Sequence, residues 1–87
     1  MLVYKILYKA SVERDLKAID KTYRLRILNK IENELALNPK ELGKPLKGQY
    51  KGFWFFRIGE YRVVYKVSVE EILILVLKIG HRKDVYN

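Results

Sequence analysis

The chain has 87 residues, with 18 lysines and arginines against 10 aspartates and glutamates, for a formal net charge of +8. At 49% hydrophobic and 13% aromatic it holds enough apolar material for one core, which excludes wholesale disorder, and its length excludes two domains of ordinary size. The absence of cysteine removes disulfide frameworks, thiolate metal sites and cysteine nucleophiles together, and agrees with a reducing cytoplasm as the expected location.

Charge interrupts the apolar residues from Met1 to Lys9 too closely for a signal peptide, and no apolar run approaches the ~18 residues of a membrane span, so a soluble protein without a membrane partner is expected. The excess charge is spread, with 8 basic against 5 acidic residues up to Pro39 and 10 against 5 beyond it. Two readings follow from composition: a folded surface that meets a polyanion, either nucleic acid or an acidic protein segment, or a merely solubilising charge.

In chain order, Leu2 to Tyr8 is rich in β-branched and aromatic residues, with Leu2, Tyr4, Ile6 and Tyr8 on one face, and predicts a first strand. Ser11 is the expected N-cap of a short helix through about Ile19, with Val12, Leu16 and Ile19 on one face. Tyr23, Ile27, Leu28, Ile31 and Leu35 then form a second helical stripe, stopped by Asn38-Pro39, so the two helices make a hairpin. Lys40 to Gly52 carries three of the five glycines and four lysines and reads as an ordered loop. Phe53 to Ile58, Tyr61 to Val67 and Ile72 to Ile79 are three β-rich runs with short connections, an antiparallel meander. The expected fold is α+β, with one N-terminal strand, a helical hairpin and the meander in a single domain over residues 1–87. The last run is apolar on both faces and should be an interior strand. The hairpin covers only one side of the sheet, so the other meets loops, the C-terminal residues or another molecule.

His81 is the only histidine, and neither a metal cluster nor a Gly-rich phosphate loop is present, so no cofactor is expected. The C-terminal half instead offers cations and proton-transfer groups: Arg57, Arg62, Lys66, His81, Arg82 and Tyr86. The period of two sets Arg62, Val64 and Lys66 on one face of their strand and Tyr61, Val63, Tyr65 and Val67 on the other. A strand arginine paired to Glu60 or Glu71 is the competing reading of Arg62. Trp54 and Phe56 are expected in the core, and Arg24, Arg26 and Lys30 on a solvated helix face.

The stretch Arg57-Ile58-Gly59-Glu60-Tyr61-Arg62-Val63-Val64-Tyr65, the apolar strand after it, and Gly80-His81-Arg82-Lys83-Asp84-Val85-Tyr86 resemble the RelE/ParE superfamily of prokaryotic toxins. Pro45-Leu46-Lys47-Gly48 resembles the same family's loop, and the likeness covers nearly the whole chain. The resemblance implies a type II toxin whose partner is a cognate antitoxin, together forming a hetero-oligomer. For the RelE-like branch it implies a metal-independent endoribonuclease that cuts messenger RNA on the ribosome. For the ParE-like branch it implies a DNA gyrase inhibitor without nuclease activity, and a basic RNA-binding module is a third alternative. Arg62, Arg82 and Tyr86 match functional positions of RelE-like nucleases, whereas Phe53 and Phe55 stand where that branch often carries two lysines. Lys44, Lys47 or Lys51 would then supply the missing charge, or activity follows a relative that uses histidine, or the protein is not a nuclease.

Metal-free RNA cleavage needs a 2′-hydroxyl activated for in-line attack, charge stabilisation at phosphorus, and a proton for the leaving oxygen. Arg62 and Arg82 suit bidentate grip of phosphate oxygens. An imidazole ordinarily titrates near ~6.5, which makes His81 a candidate acid or base, and a Tyr86 phenol, starting near ~10, needs nearby arginines before it can act as a base. The expected catalytic group is therefore Arg62, His81, Arg82 and Tyr86, meeting in one depression, with Lys44, Lys47, Lys51, Arg57 and Lys66 holding phosphates.

Overall fold

The structure, a computed structural model, describes residues 2–85. It is an α+β arrangement of one five-stranded sheet with helices against one side. The elements in chain order are β1 (Lys5–Tyr8), α1 (Ser11–Lys17), α2 (Lys21–Lys30), α3 (Pro39–Leu42), β2 (Lys44–Pro45), β3 (Trp54–Ile58), β4 (Tyr61–Ser68) and β5 (Leu73–His81). The strand order is β1-β5-β4-β3-β2, with β1 parallel to β5 and every other neighbour antiparallel. The meander expected from the sequence is β3-β4-β5, and the doubly apolar β5 is interior, between β1 and β4.

Several boundaries differ from the sequence expectation. Ser11 is not the N-cap of α1 but its first residue, because Ala10 is already helical at φ −53°, ψ −37° and provides no side-chain cap. Asp20 is the side-chain cap instead, and its carboxylate accepts the Thr22 amide of α2 at 3.2 Å. The first strand begins at Lys5 and not Leu2: Leu2 and Val3 are exposed, and the Tyr4 amide donates to the Ala36 carbonyl. Pro39 both ends the second helical run and opens α3, where its missing N–H costs nothing. The segment read as loop thus contains a helical turn, the two-residue edge strand β2, and a 3-10 turn over Gly48–Tyr50.

The core lies between the helices and the near side of the sheet. Ile27, Ile31 and Leu35 are each wholly buried at spacings of four, and they pack over Val63, Tyr65, Ile74, Val76 and Ile79. In a regular helix such a spacing drifts by about 40° at each step. The wider turn at Ile31–Leu35, closed by the Ala36 amide to the Ile31 carbonyl at 3.0 Å, absorbs that drift and keeps the stripe on the sheet. Burial of each such aliphatic side chain contributes on the order of 1.5–3 kcal/mol. Phe56 is buried and Trp54 packs on the core edge, as their alternation with Phe55 and Arg57 requires.

Tyr65 fixes the far end of the sheet. Its hydroxyl is buried and donates to the Pro39 carbonyl at 2.5 Å. A Cβ on Gly43 would lie 1.7 Å from that hydroxyl oxygen, so only glycine lets the chain pass from α3 into β2 over this bond.

Candidate nucleic-acid interface on the open face of the sheet

The side of the sheet away from the helices is where the cations collect. On β3, Phe56 and Ile58 point into the core, so Phe55 and Arg57 occupy the open side. Arg57 stands directly opposite Arg62 of β4, and Arg62 is in turn opposite Gly80 of β5. Two arginines facing each other across a ladder repel, an arrangement that an anion between them would relieve. The Arg62 guanidinium lies over the Phe55 ring at 5.1 Å, and the Lys66 ammonium over the Phe53 ring at 4.8 Å. Lys44 of β2 is paired with Phe55. Lys44, Arg57 and Lys66 are exposed, and Arg62 is half-buried. Lys44 of β2 and Lys66 of β4 thus stand on either side of β3, beside the rings of Phe55 and Phe53 respectively.

The same face has an apolar half. Leu46, Tyr50, Phe53, Val64, Leu77 and Val85, together with Lys78, line a cavity of about 220 Å³. Val85 is buried over Gly80, where an added Cβ would come within 3.1 Å of it. Lys47 and Lys51 are exposed and flank the 3-10 turn that carries Tyr50. Nothing in the apolar run around Lys78 marks that lysine as part of this face. The irregular register at Val64/Tyr65 pairs it with Val64 and so brings it to this face.

The expected convergence of four catalytic residues does not hold for His81. It pairs with Tyr61, whose ring packs on Tyr23 of α2, and its own ring meets Tyr61 edge-on at 5.8 Å. It therefore lies on the helix side, in a cleft lined by Asp15 of α1 and by Ala18 and Ile19 just after it, and not with Arg62. The reason is register. Gly80 is opposite Arg62, so the next residue must face the other way. Both imidazole nitrogens are engaged: Nε2 meets Glu60 Oε2 at 2.9 Å, and Nδ1 accepts the Lys83 amide at 3.3 Å. Glu60 thus serves His81, and Glu71 bonds Ser68. Arg82 is exposed at the Arg57–Arg62 end of the sheet, where its amide donates to the Glu60 carbonyl at 2.8 Å. Tyr86 lies outside the described residues.

A small basic α+β protein with a cationic and aromatic open sheet face is the class these features define. The model of the ParE toxin of type II toxin-antitoxin systems, parDE, matches residues 6–86, and the chain belongs to that family, within the RelE/ParE superfamily of toxins. Among curated proteins it is similar to toxin RelG of Mycobacterium tuberculosis, 26% identical with 97% of each chain covered. It is likewise similar to toxin RelE3 of Methanocaldococcus jannaschii, 30% identical with 95% of this chain and 96% of that one covered. Among solved structures, the toxin-antitoxin complex RelBE2 of Mycobacterium tuberculosis matches with a TM-score of 0.88 at 25% identity, over 92% of this chain and 99% of that one. The isolated E. coli RelE toxin shares the fold, with a TM-score of 0.72 at 22% identity over 90% and 83% of the two chains.

Proposed function

We propose that this toxin is a ribosome-dependent endoribonuclease that cuts messenger RNA during translation, without a metal or other cofactor. The single observation that carries the reading is the Arg57–Arg62 pair beside the cation-covered rings of Phe55 and Phe53. Two guanidinium groups can share one phosphodiester, and the rings offer surfaces on which neighbouring bases stack. The likeness to curated toxins named RelE and RelG supports the same branch.

In the proposed reaction the ribose 2′-oxygen attacks phosphorus as its proton passes to a base. The P–O5′ bond breaks, and the 5′-oxygen takes up a proton. The products are a 2′,3′-cyclic phosphate and a 5′-hydroxyl. Arg62 and Arg82 neutralise the charge that grows on the non-bridging oxygens. Lys44, Arg57 and Lys66 hold the strand, and Lys47 and Lys51 extend the contact along the loop. Tyr86 is the remaining proton-transfer candidate of this chain, since the nitrogens of His81 are committed on the opposite side. With so few acid–base groups, orientation of the RNA by the ribosome supplies much of the rate, and free RNA is a poor substrate.

The partner is a cognate antitoxin, in line with the toxin-antitoxin complexes among the similar structures. An acidic, disordered segment that folds onto the basic and apolar halves of the open face would deny it to RNA. The second reading is gyrase inhibition without cleavage, favoured by the phenyl rings at Phe53 and Phe55 and by the family model's own description. Expression in a translation extract with mapping of transcript ends, run beside a gyrase supercoiling assay, separates the two. Codon-phased ends that vanish with Arg62→Ala support the nuclease, and whole transcripts with impaired supercoiling reject it.

A further inference from the structure

Glu60 does two things at once. At the two-residue turn between β3 and β4, where Gly59 takes a φ of +59°, its carbonyl accepts the Arg82 amide at 2.8 Å and its carboxylate meets His81 Nε2 at 2.9 Å. Consecutive residues at the end of β5 are thus held by one residue of the turn that joins the two arginine-bearing strands. The ring of His81 continues the chain of contacts. A backbone N–H can only donate, so Nδ1 accepts from Lys83, and the ring proton of the neutral imidazole sits on Nε2, facing Glu60. The Asp84 amide closes the turn on the His81 carbonyl at 2.8 Å. Beneath the imidazole, Tyr61 and Tyr23 carry the contact down to α2.

We propose that Glu60 is a positioning residue for Arg82, acting through His81: the carboxylate clasps the imidazole, the imidazole orders the turn over residues 81–84, and that turn aims the Arg82 guanidinium at the phosphate held by Arg57 and Arg62. The inference rests on the nuclease reading for its consequence, while the clasp itself is a property of the folded chain. His81 thereby has a role on the helix side that requires no proton transfer to RNA. Glu60, exposed and at a turn, would otherwise pass as a solubilising charge.

The test uses the full-length toxin with Glu60→Ala, Glu60→Gln and Arg82→Ala, singly and combined. On translating ribosomes, Glu60→Ala is expected to slow cleavage about tenfold, because a small misplacement of a charge-stabilising group is costly. Glu60→Gln, whose amide oxygen can still accept from Nε2, should recover most of that loss. In the Arg82→Ala background, Glu60→Ala should add nothing, since it acts only through the missing guanidinium. A further slowing there, or wild-type cleavage by Glu60→Ala itself, overturns the proposal. Amide hydrogen exchange is read on the same proteins. Glu60→Ala should speed exchange at Lys83 and Asp84 about tenfold or more, with the β3 and β4 amides unchanged. Unchanged exchange at Lys83 and Asp84 removes the clasp. Exchange that rises across the whole sheet assigns Glu60 a general structural role and likewise overturns the proposal. If the unmodified toxin leaves transcripts whole, the nuclease reading fails, and the exchange result still decides whether the clasp exists.

Discussion

Arg62 and His81 sit on neighbouring strands one residue out of register, and so they face opposite sides of the sheet. Arg62 lies against the Phe55 ring on the open side, whereas His81 is held by Glu60 and Lys83 against Tyr61 on the helix side. Separate roles follow from that placement. Arg62→Ala should reduce cleavage on the ribosome by roughly 100-fold or more, as expected for loss of a group that stabilises developing charge. His81→Gln should stay within about tenfold of wild type and keep the shape of the pH–rate profile. Loss of one limb of that profile in His81→Gln would return His81 to proton transfer.

The rings under the cations make a smaller, measurable contribution. Phe55→Ala removes the surface that orients the Arg62 guanidinium, a contact of about 0.5–1 kcal/mol at a partly exposed site, so cleavage should fall roughly two- to fivefold. In the Arg62→Ala background the same change should have little further effect. Steady-state cleavage rates for the four proteins check this.

Phosphate contacts can be separated from chemistry by salt. Lys44→Ala and Lys66→Ala each remove an exposed cation of the open face. Each should reduce the slope of log affinity for single-stranded RNA against log salt by about 0.7. Lys17→Ala, on the exposed side of α1 and paired with Glu13, should leave the slope unchanged and serves as the control.

Gly43 and Tyr65 are coupled through a single hydroxyl. Gly43→Ala would put a methyl 1.7 Å from the Tyr65 oxygen and 2.9 Å from its ring carbon, forcing Tyr65 off the Pro39 carbonyl. A destabilisation of about 2 kcal/mol or more is expected, in the upper part of the range for overpacked sites. Tyr65→Phe should relieve part of it, since the ring carbon remains too close. Urea unfolding of the two single variants and the double variant gives the coupling.

Alkaline pH should weaken the fold in a defined direction. Burial raises the Tyr65 phenol far above its usual value, and burial followed by the Glu32 carboxylate does the same for Tyr8. In the unfolded chain these phenols ionise near ~10. The folded state binds the more protons above that pH, so their contribution is complete below about 10 and declines as pH rises beyond it. Urea midpoints from pH 8 to 11.5 should fall above about 10, and the fall should be shallower in Tyr8→Phe. A flat profile would contradict the burial of these hydroxyls.

Much of the architecture was legible because it is written in periodicity. The helical stripe of Ile27, Ile31 and Leu35 and the alternation of Tyr61, Val63 and Tyr65 against Arg62 are local signals, although the wider turn that holds the stripe on the sheet is not written in its spacing. The pairing of β1 with β5 was not legible, because two strands more than 60 residues apart carry no local mark of their partnership. The site was half legible for the same reason. Alternation along β4 put Arg62 and Lys66 on one face, yet nothing in the run Ile79-Gly80-His81 says which of its residues sits opposite Arg62. That depends on cross-strand register, which here includes an irregularity at Val64/Tyr65. In the sequence Glu60 is legible only as a neighbour of Arg62, because the turn that points its carboxylate at His81 exists only once the strands are paired.

The central claim is that the guanidinium groups of Arg62 and Arg82 neutralise a phosphodiester while it is broken. The most direct measurement is the mapping of 5′-hydroxyl ends on a message translated in the presence of equal amounts of the wild-type toxin, Arg62→Ala or Arg82→Ala. The account expects ends phased with the reading frame for the wild-type protein and roughly 100-fold fewer for either variant. Ends that persist unchanged in both variants, or an intact message in cells whose growth the wild-type toxin still arrests, would contradict it.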